Sequence, residues 1–235
     1  MKNFLTAAIL GLSAVSCAGL IKQKPLAEYA DESAPRFMEA QRRKFGLDYG
    51  ACPSIGYEPL EGHRGIYTTP DRIILDPQLS PPRTLFGLRL VGEDDLRRGA
   101  DSTLNHELVH SYINGLCKTE NLKGCTFLSD QATSDERLSI DLVGEGAATY
   151  IENAMLYRNR DCTKFWWVRP KIRDYESNKN LIYDAGYCVA REVVGKYKAA
   201  GLRHMVDNPP TEKELQHPYD YAKRMKKELR ALRKG

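Results

Sequence analysis

Two histidines four residues apart, with a glutamate directly after the first, are the residues of this chain whose types and spacing could do chemistry: His106-Glu107-Leu108-Val109-His110. At 3.6 residues per turn His110 stands one turn beyond His106, so both imidazoles leave one helix face and can hold a single tetrahedral zinc ion. Glu107 is rotated by about 100° from His106, close enough to take a proton from a reacting water without itself being a ligand. The triplet reads as zinc hydrolase chemistry. Its flanks fit a helix. Leu104, Leu108 and Tyr112 repeat at i+4, and Val109, Ile113 and Leu116 form a neighbouring stripe. Asp101, Ser102 and Thr103 offer N-cap side chains, and Asn114-Gly115 offers a C-terminal stop.

A catalytic zinc needs a third protein ligand and an open position. No histidine follows His110 in HSYINGLCKTE, so the extended HExxHxxGxxH pattern is absent. Glu145, in DLVGEGAATYIENA, is the candidate, at the start of a second helical stretch 145 − 110 = 35 positions downstream. The small residues Gly144, Gly146, Ala147 and Ala148 would let that helix approach the HExxH helix closely. Tight helix packing with Glu145 solvated is the alternative.

HELVH followed by EGAATYIE resembles the gluzincin metallopeptidases, zincins whose third ligand is a glutamate one helix later. Tyr183-Asp184-Ala185-Gly186, running into a further helix, is similar to the tyrosine-x-x-glycine helix of the aminopeptidase-like gluzincins, and PPTEKELQHPYDY looks like the closing segment of small bacterial members. The resemblance spans roughly residues 64 to 221. It implies a zincin-like α+β fold, a small β-sheet lobe followed by a mainly helical lobe with zinc between them. It also implies ligation by His106, His110 and Glu145, Glu107 as general base and Tyr183 as donor to the oxyanion, with His217, Tyr187 and Tyr219 as substitutes in a different register. In that family an edge strand pairs with extended substrate, and RIILD or TLFGLRLV could supply it. Two departures stand out. The glycine-x-methionine-glutamate-asparagine motif that holds a free amino terminus has no counterpart, so exopeptidase activity does not carry over. Gly144 also stands where relatives often place a polar side chain.

The amino terminus speaks to location. Lys2 precedes an apolar run from Phe4 to Val15, too short to span a membrane and of the form of a secretory signal. Ala14-Val15-Ser16-Cys17 resembles a bacterial lipobox, which would place lipid on Cys17 and anchor the mature chain to a membrane; ordinary signal cleavage nearby is the alternative. Both lead to export, to the periplasm or cell envelope or into the medium. Of the other five cysteines, Cys117 and Cys125 bracket a short loop and are expected to pair; Cys162 with Cys188 is the next pairing, with Cys52 able to compete for either.

Hydrophobic residues make up 42% of the 235 and charged residues 28%, the profile of an ordinary globular chain. The net charge of +4 is too small to argue for nucleic acid as a partner. We expect a signal peptide over 1–16, a tether over 17–30 and one catalytic domain over 31–235. A helical stretch over 26–45 should break near Pro35, with short strands over 65–67, 72–75 and 84–91 and mainly helix from Glu93 on. Phe165-Trp166-Trp167-Val168 could wall a substrate side chain or touch a membrane, against the alternative of core packing; His217 reads as structural, and His63 and His204 carry no motif. The expected function is zinc-dependent hydrolysis of peptide or protein substrates. A non-catalytic zinc- or partner-binding exported module, or a zinc hydrolase of a non-peptide bond, are the alternatives.

Overall fold

The computed structural model describes residues 26–61, 63–68, 71–76, 83–85, 88–90, 93–129, 131–163, 165–167 and 169–234. The signal segment and Cys17 lie outside them. The architecture is mixed α+β and mostly helical. Helix α1 (Leu26–Phe45) precedes three strands, β1 (Ser54–Tyr57), β2 (Gly65–Thr68) and β3 (Arg72–Leu75), and a two-stranded antiparallel pair, β4 (Arg83–Leu85) and β5 (Leu88–Leu90). Then follow α2 (Glu93–Thr119), α3 (Lys123–Thr126), α4 (Ser134–Met155), α5 (Ile172–Ser177), α6 (Asn180–Asp207), α7 (Glu212–Leu215) and α8 (Pro218–Leu232). Among the described residues no helix is long and apolar enough to cross a membrane.

Helix α2 is the shared wall of two cores. Leu104 and Leu108 point one way, into a cluster with Ala30 of α1 and Ile73 and Leu75 of β3. Val109, Tyr112 and Ile113 point the other way, into the larger core formed with α4, α6 and α8. Because apolar residues three to five apart occupy two separate stripes, the third face is left for His106 and His110. A buried polar link fixes its height against α1: the Gln41 amide donates to the Asn105 backbone carbonyl at 3.1 Å and to its side-chain oxygen at 3.0 Å, one residue before His106.

Several local expectations change. Residues 26–30, expected as tether, already belong to α1, and Ala30 is fully buried. Pro35 does not break that helix; it lies on its exposed side, next to buried Ser33 and Ala34. Asp101, Ser102 and Thr103 are interior positions rather than caps, because α2 begins eight residues earlier than Asp101, at Glu93. Gly115 does not end α2, which continues to Thr119, and Leu116 packs on the larger core. The stretch 84–91 is not one strand but the β4–β5 pair. The strand RIIL is central, not an edge: β3 lies between β1, parallel to it, and β2, antiparallel to it.

Disulfides join Cys117 to Cys125 and Cys162 to Cys188, and Cys52 is free and exposed. The first ties the end of α2 to α3. The second pins the segment before the short turn Phe165–Trp167 to α6, beside buried Tyr187.

The tightest helix crossing is glycine on glycine. A Cβ on Gly146 of α4 would stand 2.3 Å from the Gly186 Cα of α6, and one on Gly186 would stand 2.4 Å from the Leu142 carbonyl oxygen. Gly146 therefore serves the approach of α6, not of the HExxH helix as its sequence position had implied; Gly144 alone of the pair faces that helix, with His110 3.7 Å from where its Cβ would be. Gly146→Ala should force α4 and α6 apart and cost about 3 kcal/mol. Urea unfolding measures this, and an unchanged midpoint would show that the two helices separate freely.

Candidate metal centre

The three residues singled out as ligands converge. His106 and His110 leave one face of α2, and Glu145, in the middle of α4 rather than at the start of its helix, comes to meet them. The Thr133–Glu136 capping box starts α4 and so sets the rotation at which Glu145 emerges. His106 Nε2 lies 3.0 Å from Glu145 Oε2 and 3.2 Å from His110 Nε2, and His110 Nε2 lies 3.6 Å from the same carboxylate oxygen. This group could hold a metal ion.

Charge is closely managed around it. Burial disfavours a charge on His106, but hydrogen bonding to Glu145 and then Glu152 outweighs it and holds the ring's pKa up, at about 10. Burial likewise pushes Glu145 up, and the two imidazoles more than reverse this, so its carboxyl sits well below the usual carboxylate range.

Glu152 went unassigned in the sequence. Its Oε2 lies 3.3 Å from His106 Nδ1, and Ser102 donates a hydrogen bond to its other oxygen. Its own burial is outweighed by His106 and Ser102, and its carboxyl is held low. An ionised carboxylate only accepts, so His106 Nδ1 carries the proton and Nε2 is the atom turned to the centre. A signal existed: Glu152 is the last residue of EGAATYIE, two helical turns after Glu145 and therefore on its face. Among the described residues no carboxylate is hydrogen-bonded to His110 Nδ1, and the backbone of Gly144 lies beside that ring.

Glu107 is 7% exposed, beside His106 in the chain. Tyr183 of α6 stands with its ring centroid 6.2 Å from that of His106. Burial, the Glu145 charge and a hydrogen bond to Glu145 push its hydroxyl up to about 12, so it remains a neutral donor. The substitutes considered for it are engaged elsewhere. Tyr187 is buried, accepts from the Arg160 backbone amide at 3.1 Å and faces Asn159 Oδ1 at 3.2 Å. Tyr219 packs on Trp166 at 5.0 Å, and His217 is the N-cap residue of α8. His204 faces Glu228 at 2.9 Å. Phe165 and Trp166 are half-buried and Trp167 is exposed, and none of them lines the centre.

Two cavities open on the centre, of about 400 and 640 Å³, and share a wall of His63, Gly65, His106, Glu107 and Tyr183. Strand β2 forms one side, as the edge of its sheet. It can lie this close because Gly65 has no side chain: a Cβ there would stand 2.3 Å from Thr103 Cγ2 of α2. His63, which no motif marked, is brought to both cavities by the turn before β2. Asp141 lines the smaller cavity but stays outside the ligand group; burial and then the Glu145 charge push its carboxyl up.

Compared with family models, curated proteins and solved structures, the chain matches none.

Dialysed against a divalent metal and assayed by mass spectrometry of the metal, the wild-type protein should retain about one ion. His106→Ala, His110→Ala and Glu145→Ala should each lose it, while Asp141→Asn retains it. Glu152→Ala should weaken affinity about 10- to 100-fold with the stoichiometry intact at saturation. Full retention in Glu145→Ala would remove that residue from the ligand set.

Proposed function

We propose that this protein is a zinc-dependent metallopeptidase of gluzincin type, its zinc held by His106, His110 and Glu145 between a small sheet and a mainly helical lobe. The observation that carries the reading is the triangle of donor atoms. Around a tetrahedral zinc with bonds of about 2.0–2.1 Å, neighbouring ligand atoms lie about 3.3 Å apart, and the three edges here are 3.0, 3.2 and 3.6 Å. Two imidazoles and one carboxylate are also the donor set of catalytic zinc sites that keep a fourth position open.

Zinc bound there would supply Lewis acidity, bringing the pKa of water toward 7. Glu107, one residue after a ligand and lining both cavities, accepts the proton of the attacking water and returns it to the leaving nitrogen. Tyr183, kept protonated by its surroundings, donates to the oxygen on which charge develops. The edge of β2 beside these groups leaves main-chain donors and acceptors for an extended peptide.

Glu107→Gln keeps the shape and removes the base, so metal content should stay near that of the wild type while peptide hydrolysis falls about 100-fold or more. Tyr183→Phe should cost roughly 10- to 1,000-fold in turnover. A quenched-fluorescence peptide library reads both, and unaltered turnover in Glu107→Gln would remove the mechanism.

We also infer that the protein is exported and anchored through lipid on Cys17. The two disulfides support an oxidising compartment. The mature wild-type protein should partition into detergent and carry the mass of lipid on an amino-terminal cysteine, and Cys17→Ser should abolish both. A lipid-free chain beginning after Cys17 would rule the anchor out.

A further inference from the structure

Helix α8 carries a charged surface away from the metal centre. Along α8 and the turn that follows it, Tyr219, Lys223, Lys227, Arg230 and Lys234 recur at helical spacing and form a single stripe. The opposite face, with Tyr221, Ala222, Met225 and Leu229, is buried in the core. Together with Lys226 and Ala231 the four cations of the stripe line a groove of about 420 Å³ that no acid borders. The acids within reach are Asp220, 3.9 Å from Lys223, and Glu192, 2.6 Å from Lys226. Lys227, Arg230 and Lys234 have no ion-pair partner among the described residues. Like charges three and four residues apart on a helix repel, so the stripe weakens the helix on which it stands. An anionic surface laid against it removes that repulsion.

The head of the stripe is aromatic. The Trp166 ring lies 5.0 Å from that of Tyr219, the Lys223 ammonium stands 4.1 Å from the centre of the tyrosine ring, and Trp167, next in the chain, is 86% exposed. An indole open to water at the end of a row of cations suits a bilayer interface, where tryptophan sits at the level of the headgroups and cations lie over their phosphates. We propose that this face docks on a bilayer carrying anionic lipid, with Lys223, Lys227, Arg230 and Lys234 against the headgroups and Trp167 entering the interface. The apolar side of α8 is used up in the core, so charge supplies the attraction and the tryptophan the depth. A nucleic acid offers the same phosphates, but a long flexible polyanion meets the field of a whole chain whose net charge is only +4, whereas a flat surface meets this face alone. Trp166 packs against Tyr187 and Cys188 of α6, one turn after Tyr183, so the docking face adjoins a helix that reaches the metal centre. The proposal is independent of lipid on Cys17 and of the peptidase reading.

Trp166 and Trp167 are the only tryptophans of the chain, so its tryptophan emission reports this face. The full chain with Cys17→Ser, which leaves no cysteine there to carry lipid, should partition onto vesicles of equal parts phosphatidylcholine and phosphatidylglycerol roughly 100-fold or more better than onto phosphatidylcholine alone, read by sedimentation. Its emission should move to shorter wavelength on the anionic vesicles, and high salt should release it. Lys227→Gln, Arg230→Gln and Lys234→Gln combined remove three attractions, each worth about fivefold, and should weaken this binding roughly 100-fold. The melting temperature of that variant should equal or exceed that of the wild type, because like charges have been separated. Arg43→Gln with Lys123→Gln, on α1 and α3, should leave binding near that of the wild type. Trp167→Ala should weaken binding severalfold and remove most of the emission shift. Equal partitioning onto both kinds of vesicle, indifference to the triple exchange on α8, or emission unmoved on the anionic vesicles would overturn the proposal. Tighter binding of single-stranded RNA than of the vesicles at the same ionic strength would overturn it too, in favour of a nucleic-acid partner.

Discussion

The contact of Gly146 with Gly186 is the constraint on which the rest depends. Backbone meets backbone where α4 crosses α6, and no other residue type leaves room for it. Glu145 adjoins the first glycine, and Tyr183 stands one turn before the second. The same crossing therefore delivers the Glu145 carboxylate from one helix and the Tyr183 hydroxyl from the other to a single point. A small displacement of these axes would move both together, since close-packed interiors respond to added volume by shifting whole elements.

Electrostatics then gives the point its character. Two imidazole nitrogens and a carboxylate oxygen, mostly shielded from water, face one another at hydrogen-bond distances. Lone pairs so arranged repel unless positive charge lies among them, and a buried carboxylate left alone would be costly. A proton on His106 or a metal cation meets the need, and the two compete for the same atoms. Glu152 adds to the demand from behind His106 and at the same time fixes which nitrogen looks inward.

The sheet contributes through its edge. With β3 in the middle, β2 is left to border the centre, and Gly65 lets it press against Thr103 without a gap. Helix α2 holds both halves because its two apolar stripes belong to different cores, leaving its polar stripe at their junction. The disulfides lie at the margins of this arrangement, one joining the end of α2 to α3 and one joining the segment after α4 to the third turn of α6.

What one helix carries on one face was legible in the residues themselves. His106, Glu107 and His110 are placed by the 3.6-residue repeat alone, and so was the mainly helical second half. Glu145 could be nominated by type and by its small neighbours, but those neighbours turned out to divide between two partners, Gly144 against His110 and Gly146 against Gly186. Nothing local distinguishes the two. Element ends were misread wherever tertiary packing overrode a local signal: α2 runs through Gly115 because Leu116 is held by the core, and α1 carries Pro35 on its exposed side. His63 has no pattern to mark it. It reaches the two cavities only because a sheet edge, a helix crossing and a turn come together in space. Periodicity acts over a few residues of one element, whereas the meeting of distant elements is decided by which surfaces fit with their polar groups satisfied.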